Sequence, residues 1–486
     1  MTIRLILGGI AMAVAFPLQP DPTQGAIALW PLAWIALSPL LASLLTARTM
    51  WDAVRSSLVF AACWFLIDCV WIFRVFDAYG WVLIGLPIVW IAVFGGLAFW
   101  TRQAGVSIWW SWPILWIAVE FIRSEWSPIR LDWFSPTLDP LRFSWLVLGH
   151  SRVSEPIMAQ TADIWGGYGL SLAPFLSNLL VADLFVRRKL AIVPAAATIG
   201  LILAELLYGQ RVLTRESLAA PVAVGIVQSE RESMPALLEL SEALVAEHPA
   251  IRIMVWPEES FSEKPGDVSV LQAFASQHTF TLVAGVERPT ENGHHENLAL
   301  VLWPNREIGI YHKRERVPFV ERHERAADLP TFPIVIDDRT IRAGVLICYD
   351  ADFPTTARDL TRAGAEILLM PTLDEGGWGG TQHVQHALLP RLRAIENRRP
   401  VVKAATSGVS QIIDDRGRVL AEIPYRLNRR PERPTLFREG TATAAIAPNS
   451  SLSVYTRFGY WFGPVMAAGA LCAIALGWIR RRPNRA

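Results

Sequence analysis

The chain has 486 residues, of which 52% are hydrophobic and only 18% are charged, and its formal net charge is +1. Because soluble globular proteins usually carry about 25% charged residues, this composition indicates that part of the chain lies in a membrane. The 21 Trp and 21 Phe residues exclude a uniformly disordered chain, and the near-neutral charge gives no support for a nucleic-acid partner.

Apolar segments dominate the first 214 residues and return at the end of the chain. A membrane span needs roughly 20 mostly apolar residues. Eight segments approach this length: 5–18, 26–45, 56–73, 81–100, 107–122, 166–186, 191–208 and 460–479. The first segment lacks a clean small-x-small cleavage site, so we expect a helix rather than a signal peptide. The sequence predicts a polytopic α-helical membrane bundle of about eight spans, with seven in residues 1–214 and one in residues 456–486.

Basic residues predict the orientation of this bundle, because cytoplasmic loops carry an excess of Lys and Arg. With a cytoplasmic N-terminus, the short outer loops hold only Arg74, beside Asp77. The inner segments hold Arg4, Arg48, Arg55, Arg102, Arg187, Arg188, Lys189 and the C-terminal arginines. Residues 215–455, which follow the seventh span, are therefore predicted to lie outside the cytoplasm.

Two acidic residues, Asp68 and Glu120, fall within or near the ends of predicted spans. An acid inside a membrane is a candidate functional residue. The alternative is that each lies near the membrane surface or is paired inside the bundle. The sequence leaves both interpretations open.

Residues 221–450 have the composition of a soluble domain and alternate strand and helix patterns. Five segments resemble strands before the cysteine: PVAVGIVQ, IRIMVWPE, FTLVAGVE, LALVLWP and IGIYH. PALLELSEALVAEH and VLQAFASQH resemble helices between them. IRAGVLICYD, TTARDLTRAG and AEILLMP continue the pattern as strand, helix and strand. Strands that alternate with helices indicate a layered α/β domain.

Three polar residues stand where predicted strands end: Glu258, Lys313 and Cys348. Layered α/β folds build their sites at such ends. A carboxylate can take the thiol proton, and a lysine can stabilise the oxyanion that forms when a thiolate attacks a carbonyl. Each residue alone is also compatible with packing or a solvated surface, so the order of the three carries the prediction of an acyl-transfer site.

The segments around these residues, VWPEES, YHKRERVPF and GVLICYD, resemble the three signature segments of the nitrilase (carbon–nitrogen hydrolase) superfamily. VPFVE, which ends at Glu321, resembles a segment of the apolipoprotein N-acyltransferase family. HVQHALLPRLRAIENRRPVVKAATSGVS resembles the segment that follows the nucleophile in that family. The eight-span bundle with an extracytoplasmic insert is also similar, so the resemblance covers nearly the whole chain.

The resemblance implies an inserted nitrilase-like domain with α-β-β-α layers and assigns roles by motif position. Glu258, rather than its neighbour Glu259, would be the general base. Lys313 would stabilise the oxyanion, and Cys348 would be the nucleophile. The supporting active-site residues would be Glu321, Tyr349 and Asp350.

The implied reaction moves an acyl chain from a phospholipid, through a cysteine thioester, to the α-amine of a diacylglyceryl-cysteine apolipoprotein. The resemblance implies a bacterial inner-membrane protein with a periplasmic catalytic domain and with no metal or cofactor. Flanking aromatic residues are candidates for a lipid-facing mouth or for the core: Trp256, Phe261, Phe319 and Trp378.

The chain departs from the family pattern near the nucleophile. Asp350 stands where the family has Glu, and PTLDEGGWGG replaces a Ser-Asn-Asp-x-Trp-Phe-Gly run, with Asp374 as a remnant. VKAATSGVS carries Ala405 and Ser407 in place of a more polar run. Two alternatives therefore stay open: a membrane amidase or acyltransferase with a different acceptor, and a non-catalytic membrane component.

Overall fold

The computed structural model describes residues 2–20, 25–126, 142–217, 219–231, 233–290, 295–304, 308–321, 328–423, 439–459 and 461–481. The chain divides into two compact units. Unit 1 comprises Met1–Leu18, Ile27–Val212 and Tyr460–Ala486, and unit 2 comprises Gln19–Ala26 and Leu213–Gly459.

Unit 1 is helical. Its helices are α1 (Thr2–Val14), α2 (Ser38–Thr46), α3 (Met50–Asp68), α4 (Ile72–Phe76), α5 (Gly80–Gln103), α6 (Ile108–Ser124), α7 (Pro156–Ala159), α8 (Ala162–Gly169), α9 (Leu172–Arg187), α10 (Ile192–Leu213) and a C-terminal helix, Phe462–Arg481. Four helical stretches among the described residues are long and apolar enough to cross a membrane, or five if α8 and α9 form one bent span. The count of eight spans stays a prediction.

Several helix bounds differ from the predicted segments for local reasons. Helix α3 begins six residues before the predicted segment 56–73, because Thr49 and Asp52 form a capping box at its start. The predicted segment 26–45 is not one helix. A 3-10 turn at Trp30–Trp34 precedes α2. Pro39 lies in the first turn of α2, a position that favours proline. The segment 166–186 is likewise broken, with a 53° bend between α8 and α9.

The two acids of the predicted spans are hydrogen-bonded within unit 1. Asp68 accepts a hydrogen bond from the Trp64 indole at 2.9 Å, and Glu120 accepts one from the Leu148 amide at 2.7 Å. Both carboxyl groups are buried. These contacts favour a structural role for Asp68 and Glu120, since a buried polar group is costly unless it is paired.

Unit 2 contains two six-stranded sheets among its described residues. The strands are β1 (Val222–Ser229), β2 (Ile253–Val255), β3 (Thr281–Pro289), β4 (His295–Leu302), β5 (Ile308–His312), β6 (Thr331–Ile336), β7 (Arg339–Val345), β8 (Ile367–Thr372), β9 (Val401–Ala405), β10 (Ser410–Ile413), β11 (Val419–Ile423) and β12 (Glu439–Ile446). The first sheet has the order β12-β1-β2-β3-β4-β5, and the second has the order β11-β10-β9-β8-β7-β6. Strands β1, β2 and β3 are parallel, as are β7, β8 and β9.

Unit 2 also contains the helices α11 (Met234–Glu247), α12 (Asp267–His278), α13 (Pro354–Arg362), α14 (Gly380–His386), α15 (Leu388–Asn397) and α16 (Val454–Phe458). Helix α14 packs against α15, and α16 packs against α13 and α15. Inward side chains such as Val224, Val255, Val345 and Leu369 form one core between the sheets. Separate cores join α11 and α12 to the first sheet, and α13 and α15 to the second. Unit 2 is therefore an α/β domain with helix, sheet, sheet and helix layers, the layer order that the resemblance implies.

The ten predicted elements from PVAVGIVQ to AEILLMP match β1, α11, β2, α12, β3, β4, β5, β7, α13 and β8 in type and order. Their patterns are strong because the strands are buried on both faces, as in β8, where all six residues are buried. Strand β6 and the strands after β8 were not predicted. In β11 partly buried and exposed positions alternate over only five residues. Such a short segment gives a weaker sequence signal than a continuous buried run.

Candidate active site

Lys313 is buried between two carboxylates. Its Nζ donates to Glu258 Oε1 at 2.7 Å and to Glu321 Oε1 at 2.5 Å. Only 1% of the Lys313 and Glu258 side chains is exposed, whereas 15% of the Glu321 side chain is exposed. The buried ammonium is thus paired on two sides, which satisfies the requirement that a buried charge be compensated.

Glu258 and Lys313 meet because β2 and β5 run in the same direction and end at the same edge of the first sheet. Glu258 follows β2 after Trp256 and Pro257, and Lys313 follows β5 in the same sheet. Gly285 of β3 lets the Glu258 segment approach, because a Cβ there would collide with the backbone of Glu258. The Gly285 amide also donates to the Pro257 carbonyl at 3.1 Å. Glu258 is therefore held in place by its neighbouring strand.

Asn297 of β4 is a further contact of this cluster. Its Nδ2 donates to Glu258 Oε1 at 2.6 Å and approaches Glu321 Oε1 at 3.4 Å. The amide lies beside the same oxygens that pair with Lys313, so it helps hold both carboxylates in place. Sequence reasoning missed Asn297, although a polar residue in the otherwise apolar run NLALVL was the available signal.

Cys348 begins a 3-10 turn, Cys348–Asp352, directly after β7. Its φ of 44° lies in the left-handed region, which is strained for a residue with a Cβ and is frequent at functional sites. The Sγ lies 3.6 Å from the Leu373 carbonyl oxygen, and the Leu373 amide donates to Glu258 Oε2 at 2.6 Å. One residue at the end of β8 thus contacts both the cysteine and the glutamate.

Burial and charge act in opposite directions on the groups of the site. Burial and the Glu258 carboxylate raise the pKa of the Cys348 thiol well above its ordinary value, while Lys313 lowers it. Burial alone would lower the pKa of Lys313, but Glu258 and Glu321 together hold it well above its ordinary value. The resting site therefore contains a protonated thiol beside a permanent cation.

Asp350 joins the cysteine turn to the segment after Lys313. Its Oδ2 accepts from the Tyr311 hydroxyl at 2.7 Å and from the Ile347 amide at 2.9 Å. Its Oδ1 accepts from the amides of Arg314 at 3.1 Å and Glu315 at 2.7 Å. Burial raises the pKa of Asp350 to about 7 despite these donors. Although Asp350 is one methylene shorter than the glutamate of the family pattern, both of its carboxylate oxygens accept hydrogen bonds.

We expect Asp350→Asn to destabilise unit 2 and to slow any reaction at Cys348. The new amide nitrogen would face two donors that the carboxylate now accepts, and buried donors left unsatisfied cost about 1–3 kcal/mol each. The midpoint of thermal unfolding should fall by about 5 °C, and the rate by about 10²-fold through misplacement. Asp359→Asn is the matched control, because Asp359 is one-third exposed and pairs at the surface. Equal melting of the two variants would contradict this role.

The remaining predicted site residues occupy less central places. Tyr349 is partly buried, and its ring makes an edge contact with Phe353 at 5.2 Å. Glu259 has a φ of 46° and is partly buried. Burial and the neighbouring Glu258 raise the pKa of Glu259 to about 8. Glu258 accepts a hydrogen bond from Lys313, and the choice of Glu258 over Glu259 as the general base stays a prediction.

Two of the four candidate aromatic residues belong to the core. Trp256 is fully buried, and its indole donates to Ser241 at 2.9 Å. Phe261 is also buried and packs edge-on against Trp256. Phe319 and Trp378 are partly buried. A lipid-facing role for Trp256 and Phe261 is therefore excluded by their burial.

Metal-binding groups are not evident in the described part of the chain. Among those residues, no group of three or more His, Cys, Asp or Glu side chains is arranged to hold a metal ion. The Glu258 carboxylate near Cys348 accepts hydrogen bonds from Lys313 and from the Leu373 amide. The described chemistry is that of a thiol, a carboxylate and an ammonium group.

Two family models match the chain. Residues 8–180 match the apolipoprotein N-acyltransferase N-terminal domain, and residues 218–428 match the carbon–nitrogen hydrolase family. The chain is 27% identical to an apolipoprotein N-acyltransferase from Geobacter metallireducens over 99% of this chain and 95% of that protein. It is 26% identical to one from Chlorobaculum tepidum over 93% of this chain and 91% of that protein.

Solved structures also resemble the chain. A carbon–nitrogen hydrolase from Helicobacter pylori is 21% identical, with a TM-score of 0.39, and the match covers 50% of this chain and 94% of that one. Nit3 from Saccharomyces cerevisiae, a member of the nitrilase superfamily, is 20% identical, with a TM-score of 0.39, over 48% and 93% of the two chains.

Proposed function

The chain belongs to the apolipoprotein N-acyltransferase family, and we propose that it transfers an acyl chain from a membrane phospholipid to an apolipoprotein. The acceptor would be the α-amine of an N-terminal diacylglyceryl-cysteine. The observation that carries the proposal is that Glu258 contacts Lys313 directly and is joined to Cys348 through the Leu373 main chain. Homology over nearly the full length of named relatives supports it.

The first half of the reaction would form a thioester. Glu258 takes the thiol proton as Cys348 Sγ attacks the ester carbonyl carbon of the phospholipid. The Lys313 ammonium stabilises the negative charge that develops on the carbonyl oxygen. When the carbon–oxygen bond to glycerol breaks, the leaving oxygen takes the proton from Glu258. The products are an acylated cysteine and a lysophospholipid.

The second half would transfer the acyl chain to nitrogen. The neutral α-amine attacks the thioester carbonyl, and Glu258 takes a proton from the nitrogen. The carbon–sulfur bond then breaks, the amide forms, and the proton returns to the Cys348 sulfur. Both halves need a carboxylate that exchanges a proton with sulfur. Glu258 Oε2 accepts one amide hydrogen bond from Leu373, and a carboxylate oxygen has a second lone pair for that exchange.

The raised pKa of Cys348 fits a reaction that begins only when the substrate is present. Because burial and Glu258 disfavour the thiolate, the proton must leave the sulfur as the new bond forms. Lys313 stays protonated throughout, since its two carboxylate partners hold its pKa well above its ordinary value. The ammonium therefore acts as a fixed charge for the oxyanion and does not exchange the reacting proton.

A phospholipid donor also requires a membrane location. Each buried CH₂ of an acyl chain contributes about 0.8 kcal/mol to membrane binding, so the donor does not leave the bilayer freely. Four apolar helical stretches among the described residues, or five with the bent pair, are suited to anchor the site there. We propose a bacterial inner-membrane protein with about eight spans in residues 1–214 and 456–486. Residues 215–455 would form the catalytic domain on the periplasmic side.

The acceptor assay tests this function against water as the alternative acceptor. Purified full-length protein is incubated with a defined phospholipid and a diacylated lipopeptide that has a free α-amine. We expect an N-acylated lipopeptide and an equal amount of lysophospholipid, measured by mass spectrometry. The same lipopeptide with an acetylated amine is the control and should receive no acyl chain. Equal release of free fatty acid with either peptide would instead indicate a hydrolase.

A further inference from the structure

A second buried ionic cluster lies within unit 2, and the proposed reaction does not use it. His386 Nδ1 lies 2.8 Å from Asp374 Oδ1, and His386 Nε2 lies 3.4 Å from Asp352 Oδ1. Lys403 Nζ lies 2.9 Å from Asp374 Oδ2. At most 2% of any of these four side chains is exposed. Such burial requires that the charges of the cluster balance.

The cluster is attached to the site at two points. Asp352 is the last residue of the turn that begins at Cys348. Asp374 directly follows Leu373, whose carbonyl oxygen lies near the Cys348 sulfur and whose amide donates to Glu258. His386 therefore bridges the nucleophile turn to the end of β8. A change at His386 can reach the thiol through both connections.

The main chain of Asp374 is also fixed. Its amide donates to the Thr406 hydroxyl at 3.1 Å, and its carbonyl accepts from the Ser407 hydroxyl at 2.6 Å. The Gln382 side chain donates from Nε2 to Asp374 Oδ1 at 3.1 Å, the same oxygen that His386 contacts. With these contacts the Asp374 carboxylate cannot turn away, so its charge stays close to the nucleophile.

The geometry around His386 requires a charged imidazole. Both ring nitrogens face carboxylate oxygens, and only the imidazolium form carries a hydrogen on each nitrogen. Burial alone would lower the pKa of His386, but Asp374 raises it to about 8. Lys403 opposes this effect and Asp352 adds to it. The cluster then has two negative and two positive charges.

Other charged groups lie near the cluster. His383 lies one turn earlier on α14, and its electrostatic effect also lowers the pKa of Asp374. On the adjoining helix α15, Arg393 and Glu396 pair with each other at 2.8 Å. Neutral His386 would therefore leave one uncompensated negative charge among Asp352, Asp374 and Lys403.

We propose that His386 is a positioning residue that balances the charges of Asp352 and Asp374 so that the Cys348 thiolate can form. Both aspartates act on Cys348 in the direction that disfavours the thiolate. A charged His386 would oppose that effect, because its ring lies between the two aspartates. The importance of His386 for catalysis rests on the proposed function. Its effect on ionisation of the Cys348 thiol does not, because that ionisation can be measured without any acyl transfer.

The test measures alkylation of Cys348 by iodoacetamide as a function of pH, with intact-protein mass spectrometry of the full-length protein in detergent. His386→Gln keeps a donor toward Asp374 but removes the charge. We expect the midpoint of the alkylation profile to rise by about 0.5–1 pH unit and the rate at pH 7 to fall by about 3- to 10-fold. His278→Gln, in a partly buried site on α12, is the matched control and should leave the profile unchanged.

The double variant His386→Gln/Asp352→Asn distinguishes charge from shape. It removes one positive and one negative charge, so the profile should return to within about 0.2 pH unit of the native one. A merely structural role predicts that the second substitution adds damage. An unmoved profile in His386→Gln, or no recovery in the double variant, would overturn the proposal.

A single variant covers the case in which His386→Gln does not fold. Asp352→Asn alone removes a negative charge, so the midpoint should stay unchanged or fall, and a rise would overturn the proposal.

The stability that His386 contributes is complete below its ordinary pKa of 6.5 and is lost as pH rises through about 8. Because iodoacetamide replaces the lipid, failure of acyl transfer and failure of the charge balance give separate results.

Discussion

Cys348→Ala is expected to abolish acyl transfer while the protein keeps its fold. Removing a catalytic nucleophile lowers turnover by at least about four orders of magnitude, and transfer through a thioester has no other sulfur at this position. The side chain is buried, and its sulfur makes a long hydrogen bond to the Leu373 carbonyl. We therefore expect the midpoint of thermal unfolding to change by less than about 3 °C, measured together with transfer to the lipopeptide.

Cys63→Ala and Cys348→Ser are the controls for that result. Cys63 lies in α3 of unit 1, so its replacement should leave transfer intact. Cys348→Ser preserves shape and polarity at the turn, but a hydroxyl is a much weaker nucleophile than a thiolate when no stronger base is present. Transfer at native rates by Cys348→Ala would end the proposed mechanism.

Lys313→Met is expected to remove activity and to destabilise unit 2 at the same time. Two buried carboxylates, Glu258 and Glu321, would lose their shared cation. Breaking a buried pair in this way costs about 3–5 kcal/mol, because a charge is left uncompensated. Loss of oxyanion stabilisation should lower the rate of transfer by about 10²–10³-fold. Thermal unfolding and the lipopeptide assay measure the two effects.

Lys313→Met/Glu321→Gln separates the two effects of the lysine. The second substitution removes one of the uncompensated charges, so part of the stability should return while transfer stays lost. Lys264→Met, at an exposed position of the same unit, is the matched control and should alter neither property. Native melting of Lys313→Met would contradict the buried ion cluster, and native transfer would contradict the role in oxyanion stabilisation.

The sequence was most informative where burial and chemistry coincide in a short segment. Strands such as β1 and β8 are apolar on both faces, so their patterns are continuous and their types could be predicted. Glu258, Lys313 and Cys348 interrupt or follow such strands, and their order gave the family. In the structure Glu258 contacts Lys313 directly and is joined to Cys348 through Leu373, and Asn297 also contacts Glu258. The motifs contain neither Leu373 nor Asn297.

Contacts made by the main chain and by distant polar residues could not be predicted. The Leu373 amide contacts Glu258 and its carbonyl contacts Cys348. Every residue has these main-chain groups, so the Leu373 side chain gives no signal. His386 lies 34 positions from Asp352 in sequence, and only the packing of α14 against the cysteine turn brings them together. Burial of Trp256 likewise depended on α11, whose Ser241 accepts its indole hydrogen bond.

Helix continuity in unit 1 was the other feature that composition did not determine. Segments 26–45 and 166–186 are mostly apolar, and hydropathy therefore predicts one span for each. In the first, proline lies early in α2. In the second, the chain bends by 53° between α8 and α9, and Gly166 at a φ of 71° adds a kink within α8. Hydropathy averages over such positions, so it places apolar segments better than it places their ends.

The most direct test of the central claim is the intact mass of the full-length protein after incubation with a single defined phospholipid and no acceptor. The account predicts a mass increase of one acyl chain, its removal by hydroxylamine, and its absence in Cys348→Ala. Subsequent addition of the diacylated lipopeptide should discharge the adduct and yield the N-acylated product. Transfer to the lipopeptide without any adduct on Cys348, or with full activity in Cys348→Ala, would contradict a thioester at this residue.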